Sequence, residues 1–146
     1  FYYVKDTNNV FSGPVFNIVG KSTGYIKKGK WNGEFEFYHS NGQLHGSGSY
    51  KDGDGSDLGD TGIPRSGREG LWKFYSENGQ LTEESTYKDG QLEGLSKLYH
   101  ENGQLSQEGT FKVGVLDGPV KTYYENGQLK SESILKDGKL IESKEY

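Results

Sequence analysis

The sequence predicts an all-β fold, a single-layer twisted antiparallel sheet of tandem β-hairpin repeats of 24 residues each. The first observation is a stretch, GLSKLYHENGQLSQEGTFKVGVLD from Gly94, that recurs at a constant step of 24 residues from Gly70 and from Gly118. A fixed step indicates units that bury their apolar side chains only against their neighbours. The second observation is that two turn signals alternate within each unit, too closely spaced for a helix.

Both turn signals contain glycine. Asn-Gly lies between β-prone residues, and Asp-Gly or a near substitute follows about eleven residues later. A two-residue Asn-Gly loop predicts a type I′ turn, which needs φ > 0 at both central residues. The Asn-Gly pairs are Asn41-Gly42, Asn78-Gly79, Asn102-Gly103 and Asn126-Gly127, and the second signals are Asp52-Gly53, Asp89-Gly90, Val113-Gly114 and Asp137-Gly138.

Counting outward from a two-residue Asn-Gly loop sets the register of each hairpin. Opposite charges then face each other in three units, and each such pair contributes about 0.2–1 kcal/mol. Four glycines also fall opposite large side chains, which can lie across a bare backbone. The charge pairs are Lys73 with Glu84, Lys97 with Glu108 and Lys121 with Glu132, and the glycine pairs are Gly33 with Tyr50, Gly70 with Tyr87, Gly94 with Phe111 and Gly118 with Leu135.

The alternation of side chains predicts two different faces. The tyrosine face carries the charge pairs and the column Tyr38, Tyr75, Tyr99 and Tyr123. The apolar face carries Phe35, Phe37, Trp72, Phe74, Leu98 and Val120, with Leu44, Leu81, Leu105 and Leu129 beyond the turns.

Three surfaces are candidates for partner binding. The first is the aromatic patch of Phe35, Phe37, Trp72 and Phe74, because exposed apolar patches mark interfaces and the sequence supplies no second layer to cover this one. The alternative is that curvature, the inserted loop or the N-terminal segment covers the patch. The tyrosine column is the second surface, since its side chains are rigid and amphipathic. The open edges of the sheet are the third.

The chain reads as one repeat domain over residues 1–146. Residues 1–24 form a degenerate N-terminal cap, as terminal repeats often do. Residues 25–53 and 68–141 are the regular repeats, and residues 142–146 are a terminal strand. Gly33 aligns with Gly70 only across 37 residues, so residues 54–67 are an inserted loop.

Composition excludes several classes of function. Only 30% of the residues are hydrophobic, but the aromatic content of 14% argues for a folded chain. A net charge of −4 gives no basic footprint for nucleic acid or anionic membranes. The absence of cysteine excludes disulfides and thiolate chemistry. The chain has no Met and begins at Phe1, which suggests that a signal peptide or lipoprotein leader was removed.

No catalytic residues are proposed. His39 and His100 share a repeat column with Ser76 and Tyr124, which indicates a structural position, and His45 stands apart from that column. The glutamates fall in cross-strand ladders, where lysines satisfy them. No serine lies in a nucleophile-elbow context.

One segment matches a calcium loop in part. Asp52, Asp54, Ser56 and Asp60 occupy positions 1, 3, 5 and 9 of that pattern, but Asp57 replaces the required glycine. Ile63 also stands where the bidentate glutamate belongs. The alternative is a mobile, acidic, glycine-rich loop.

The pattern [F/Y]-x-x-N-G-Q-L-x-x-E-x-x-Y-K-D-G-x-L-x-G, with four copies of N-G-Q-L, resembles the bacterial variant of the MORN repeat, and especially the YwqK-type antitoxin family. The resemblance covers Tyr25 to Leu140 apart from the inserted loop. It implies a sheet of hairpin repeats without a catalytic site. It also implies an immunity protein that binds and silences a toxin domain, although other such proteins sit on the cell surface.

The resulting hypothesis is a non-enzymatic module for protein–protein interaction, an antitoxin or immunity protein that blocks a toxin. The alternative is a secreted or cell-surface scaffold or adhesin. The location would be cytoplasmic for an antitoxin, and periplasmic or surface-exposed if a leader preceded Phe1. Lipid binding, which resemblance to eukaryotic MORN repeats suggests, is disfavoured by the negative charge.

Overall fold

The computed structural model describes residues 13–16 and 22–146, which form one open sheet of eleven antiparallel strands in sequence order. This confirms the predicted all-β sheet of side-by-side hairpins. Most of the predicted cap over residues 1–24 lies outside the described residues. The strands are β1 Gly13–Phe16, β2 Ser22–Lys27, β3 Lys30–Tyr38, β4 Leu44–Gly53, β5 Arg68–Tyr75, β6 Leu81–Lys88, β7 Gln91–Tyr99, β8 Leu105–Lys112, β9 Val115–Tyr123, β10 Leu129–Lys136 and β11 Lys139–Glu145.

The predicted register is confirmed. Lys73 faces Glu84, and the equivalent charge pairs form in the next two hairpins. All four glycines lie opposite the expected partners, beginning with Gly33 opposite Tyr50. The repeat pattern of the sequence therefore fixes which residues are neighbours across the sheet.

The prediction of a two-residue type I′ turn at Asn-Gly is wrong. In the first hairpin, the Gly42 amide donates to the His39 carbonyl at 2.9 Å, and the His39 amide donates to the Gln43 carbonyl at 2.8 Å. Gly42 has a φ of 84°, whereas Asn41 does not have a positive φ. This is a three-residue loop, a type I turn that ends in a glycine bulge.

A second bulge explains why the register is nevertheless right. Strand β6 pairs Leu81 with Tyr75 and Glu83 with Phe74, so Thr82 has no cross-strand partner and offsets the extra loop residue. The same irregularity occurs in the other three hairpins. Cross-strand partners share a face. The leucines after the loops therefore lie on the tyrosine face and not on the apolar face as predicted: Leu44, Leu81, Leu105 and Leu129.

Type I′ turns occur instead at three of the four second signals; the turn predicted at Asp52-Gly53 is wrong, because β4 continues to Gly53 and this glycine does not have a positive φ. Asp89 and Gly90 have φ values of 49° and 81°, and Val113 and Gly114 have 49° and 78°. A positive φ is unfavourable for a β-branched residue such as valine. Here the Val113 amide donates to Glu93 Oε2 at 2.7 Å, and this bond holds the turn. Glu69 and Asp117 accept in the same way from the amides of Asp89 and Asp137, so the acidic residue before three of the four repeat glycines supports the turn that follows 20 residues later.

The inserted loop covers the apolar face at β3, β4 and β5. Its Ile63 joins a cluster in which Trp72 is 0% exposed, Phe35 3% and Phe74 4%, with Phe37 partly buried against it. The prediction that Phe35, Phe37, Trp72 and Phe74 form an exposed patch is therefore wrong. The physical reason is that burying these rings under the loop removes a large apolar area from water.

Candidate functional site

A buried arginine holds the inserted loop against the sheet. Arg68 is 2% exposed, and it donates to the carbonyls of Ile63 at 2.7 Å and Pro64 at 2.9 Å. It also donates to the Tyr87 hydroxyl at 3.0 Å. The Tyr50 hydroxyl adds a bond to the Pro64 carbonyl at 2.6 Å. These contacts close the aromatic part of the apolar face, whereas the tyrosine face and the apolar face around Leu98 stay exposed.

A row of alternating charges crosses seven strands on the tyrosine face. Within it, Lys73 lies 3.3 Å from Glu84 and Lys121 lies 3.2 Å from Glu132. Because positive and negative side chains alternate along the row, a binding surface with alternating charges of its own would be electrostatically complementary to it. In order from β5 to β11 its members are Lys73, Glu84, Lys97, Glu108, Lys121, Glu132 and Lys144.

The tyrosines of this face connect successive hairpins. The Tyr99 hydroxyl donates to Glu84 Oε2 at 3.0 Å, and the Tyr123 hydroxyl donates to Glu108 Oε1 at 2.8 Å. Burial, and then the bond to the glutamate, raise the pKa of both Tyr99 and Tyr123. These bonds fix the orientation of the rings before any partner arrives.

The other two predicted tyrosines lie in the same column. The Tyr38 hydroxyl donates to Glu36 of its own strand, and Tyr75 pairs with Leu81 and is half-buried. The structure thus brings together all four tyrosines that the sequence predicts.

A row of exposed aliphatic residues on the tyrosine face was missed from the sequence. Leu71 is 51% exposed, Leu95 45% and Ile134 47%. Each lies two residues from a member of the charge row along its strand, which places it on the same face. The repeat pattern could have predicted this row, because Leu71 and Leu95 each directly follow a repeat glycine and precede a lysine of the charge row by two positions.

The histidines have structural contacts. His39 Nε2 lies 2.8 Å from the Tyr75 carbonyl, and His100 Nε2 lies 2.9 Å from the Tyr123 carbonyl. His45 stacks on His39 with ring centres 4.0 Å apart, and burial, followed by the nearness of His39, lowers its pKa. In residues 13–16 and 22–146, no group of three or more His, Asp or Glu side chains converges as a metal site would require.

The calcium prediction stays untested, although the loop carboxylates have other contacts. Asp54 accepts from the Ser56 amide at 3.0 Å and lies 3.9 Å from Lys30 Nζ. Hydrogen bonds from Ser56, the largest influence, lower the pKa of Asp54. Asp52 lies near the end of β4 and has a φ of 53°, and Asp60 is exposed. Any calcium ion would have to compete with these contacts.

Comparison with known families identifies the repeats. The MORN repeat variant model matches residues 31–52, 68–89, 92–112 and 116–137, which together make up more than half of the chain. A search of curated proteins finds no match. Among residues 13–16 and 22–146, no helix is long and apolar enough to cross a membrane. MORN repeats commonly serve in protein or membrane interaction and are typically non-catalytic. The chain belongs to the MORN repeat variant family.

Proposed function

We propose that this chain is a non-enzymatic antitoxin or immunity protein that binds a toxin domain through its tyrosine face and thereby blocks it. One observation carries the proposal. The exposed side chains of Leu71, Leu95 and Ile134 lie on the face that also holds the ordered tyrosines and the charge row. Apolar anchors beside fixed polar groups are the usual composition of the centre of a protein interface.

The rigidity of this face favours tight binding. Tyr99 and Tyr123 are already hydrogen-bonded to glutamates of the neighbouring hairpin, so little side-chain entropy remains to be lost on association. A pocket of about 220 Å³ between β9, β10 and β11, which Pro119, Ile134 and Lys144 help to line, could receive a side chain of the partner.

Two leucines of β7 provide a matched pair for the test. Leu95 is 45% exposed on the tyrosine face, and Leu98 is 37% exposed on the apolar face. The chain is co-expressed with any toxin domain that is encoded beside its gene, and growth is measured. We expect rescue by the wild type and by Leu98→Glu, and loss of rescue with Leu95→Glu, which places an unpaired charge in the interface.

The alternative role, a secreted or cell-surface scaffold or adhesin, predicts a different result. No neighbouring toxin would be neutralised by the wild type, and neither leucine change would affect growth. Loss of rescue with Leu98→Glu alone would move the interface to the apolar face and contradict the proposal.

A further inference from the structure

The four Asn-Gly loops lie side by side along one flank of the sheet, and two of their three junctions are tied in the same way. We number the loops in chain order: loop 1 is residues 39–43, loop 2 is 76–80, loop 3 is 100–104 and loop 4 is 124–128. Loop 1 reaches loop 2 through His39 to the Tyr75 carbonyl at 2.8 Å, and through Asn41 Nδ2 to the Glu77 carbonyl at 2.8 Å.

Loop 3 reaches loop 4 through the equivalent pair of bonds. His100 Nε2 lies 2.9 Å from the Tyr123 carbonyl, and Asn102 Nδ2 donates to the Glu125 carbonyl at 2.7 Å. In both junctions an imidazole ring fills the space between neighbouring hairpins, and its N–H is bonded to a backbone carbonyl of the next strand.

The junction between loops 2 and 3 lacks both bonds. Ser76 stands at the histidine position, and its hydroxyl bonds within its own loop, to Asn78 Oδ1 and to the Gln80 carbonyl. In the part of the chain that the structure describes, no side chain donates to the Tyr99 carbonyl. A pocket of about 230 Å³ opens here instead, lined by Ser76, Asn78, Gln80, Thr82, Tyr99, His100 and Glu101.

The groups around this pocket define what it can hold. The Tyr99 carbonyl is the counterpart of the two carbonyls that accept from imidazole N–H groups. Ser76 and Asn78 add oxygen acceptors, and Glu101 adds a negative charge. The pocket therefore suits a planar group that donates hydrogen bonds and carries positive charge. Guanidinium meets all three conditions, because it is flat, has five N–H donors and stays protonated.

We propose that the junction between loops 2 and 3 is a binding pocket for an arginine side chain of the protein partner. The guanidinium takes the place that histidine occupies at the other two junctions and donates to the Tyr99 carbonyl. The identity of the arginine as a partner's side chain rests on the proposed function. The pocket itself does not, and it can be tested without a partner.

The probe is N-acetyl-arginine methylamide, titrated into the ¹⁵N-labelled chain while amide shifts are followed by NMR. We expect saturable shifts at Ser76 and at residues 99–101, with much smaller shifts for N-acetyl-lysine methylamide, whose ammonium is not planar. Ser76→His introduces the residue that two other loops carry at this position. It should fill the pocket and weaken binding by about tenfold or more.

A second variant makes the reverse change. His39→Ser should open an equivalent pocket between loops 1 and 2 and produce a second set of shifts at residues 41–43. The proposal is overturned if Ser76→His leaves the arginine shifts unchanged, if the lysine probe binds equally well, or if His39→Ser remains folded and gains no second site. Failure here would leave the growth test of the tyrosine face unaffected.

Discussion

The guanidinium of Arg68 lies over the Trp72 ring, with its Cζ 4.7 Å from the ring centre, and it also lies 5.0 Å from the rings of Phe74 and Tyr87. Among the described residues, no carboxylate forms an ion pair with it. The charge is stabilised by aromatic faces and by the carbonyls of the inserted loop. Arg68 thus joins the loop to the sheet.

Replacing Arg68 with methionine should destabilise the fold. Arg68→Met leaves the Ile63 carbonyl without its donor and the Pro64 carbonyl with the Tyr50 hydroxyl alone, and we expect the free energy of unfolding to fall by about 3 kcal/mol. Urea unfolding measures the change. Arg65→Met is the control, because Arg65 has a half-exposed side chain 3.5 Å from Asp57 and should contribute at most about 0.5 kcal/mol. Equal losses from the two variants would contradict the assigned role of Arg68.

Removing residues 54–67 should expose the aromatic cluster. The ends of the loop meet, since a Cβ on Gly67 would lie 2.4 Å from the Gly53 Cα, so Gly53 can be joined to Arg68. We expect strong binding of the dye ANS and a red shift of tryptophan emission, because Trp72 loses its cover. Leu58→Ser, at a loop position that is 53% exposed, should change neither signal. Unchanged emission in the deletion variant would show that the loop is not the cover.

Adding one methyl group at Gly48 should be more harmful than adding one at Gly70. A Cβ on Gly48 would lie 2.3 Å from the fully buried Trp72 ring, so we expect Gly48→Ala to lower stability by about 3 kcal/mol. A Cβ on Gly70 would meet no atom of a non-neighbouring residue within 4 Å, but the φ of Gly70 is +74°. Gly70→Ala should therefore lower the free energy of unfolding by about 1 kcal/mol through backbone strain alone. Thermal unfolding ranks the two, and the reverse order would contradict the packing described for Trp72.

Alkaline pH should unfold the protein through its buried tyrosines. Burial raises the pKa of Tyr50 and Tyr87 above the ordinary value near 10. Above about pH 10 the unfolded chain releases protons that the folded chain retains, so stability falls as pH rises. Urea unfolding at pH 8 to 11 measures this slope. Tyr87→Phe should make the slope shallower than that of the wild type. An unchanged slope for Tyr87→Phe would contradict the prediction.

The repeat pattern allowed the strands and their pairing to be predicted, because each Lys-Glu pair constrains the register independently. The turn types were not predictable from dipeptides alone. Counting from Asn78-Gly79 gave the right partner for Lys73 only because the longer loop and the bulge at Thr82 cancel. The same bulge moves Leu81 to the tyrosine face.

The burial of the aromatic patch could not be predicted from periodicity, since it depends on contacts between the inserted loop and distant strands. Ile63 is the last position of the segment that resembles a calcium loop, and Arg68 follows that segment. Nothing in their spacing indicates that they pack on Trp72 and Phe74. The tyrosine column could be predicted because side chains alternate between the two faces along each strand, and this alternation can be read from neighbouring residues in the sequence. The pocket at Ser76 needed coordinates, because it arises from a difference between two neighbouring repeats.

Thiol labelling of the complex with the neutralised toxin tests most directly whether the tyrosine face is the binding surface. The chain has no cysteine, so Leu95→Cys and Leu98→Cys each introduce a single reactive thiol, one on each face of β7. The account predicts that bound toxin slows maleimide labelling of Leu95→Cys by about tenfold or more and leaves Leu98→Cys within about twofold of its free rate. Protection of Leu98→Cys with full reactivity of Leu95→Cys would contradict it.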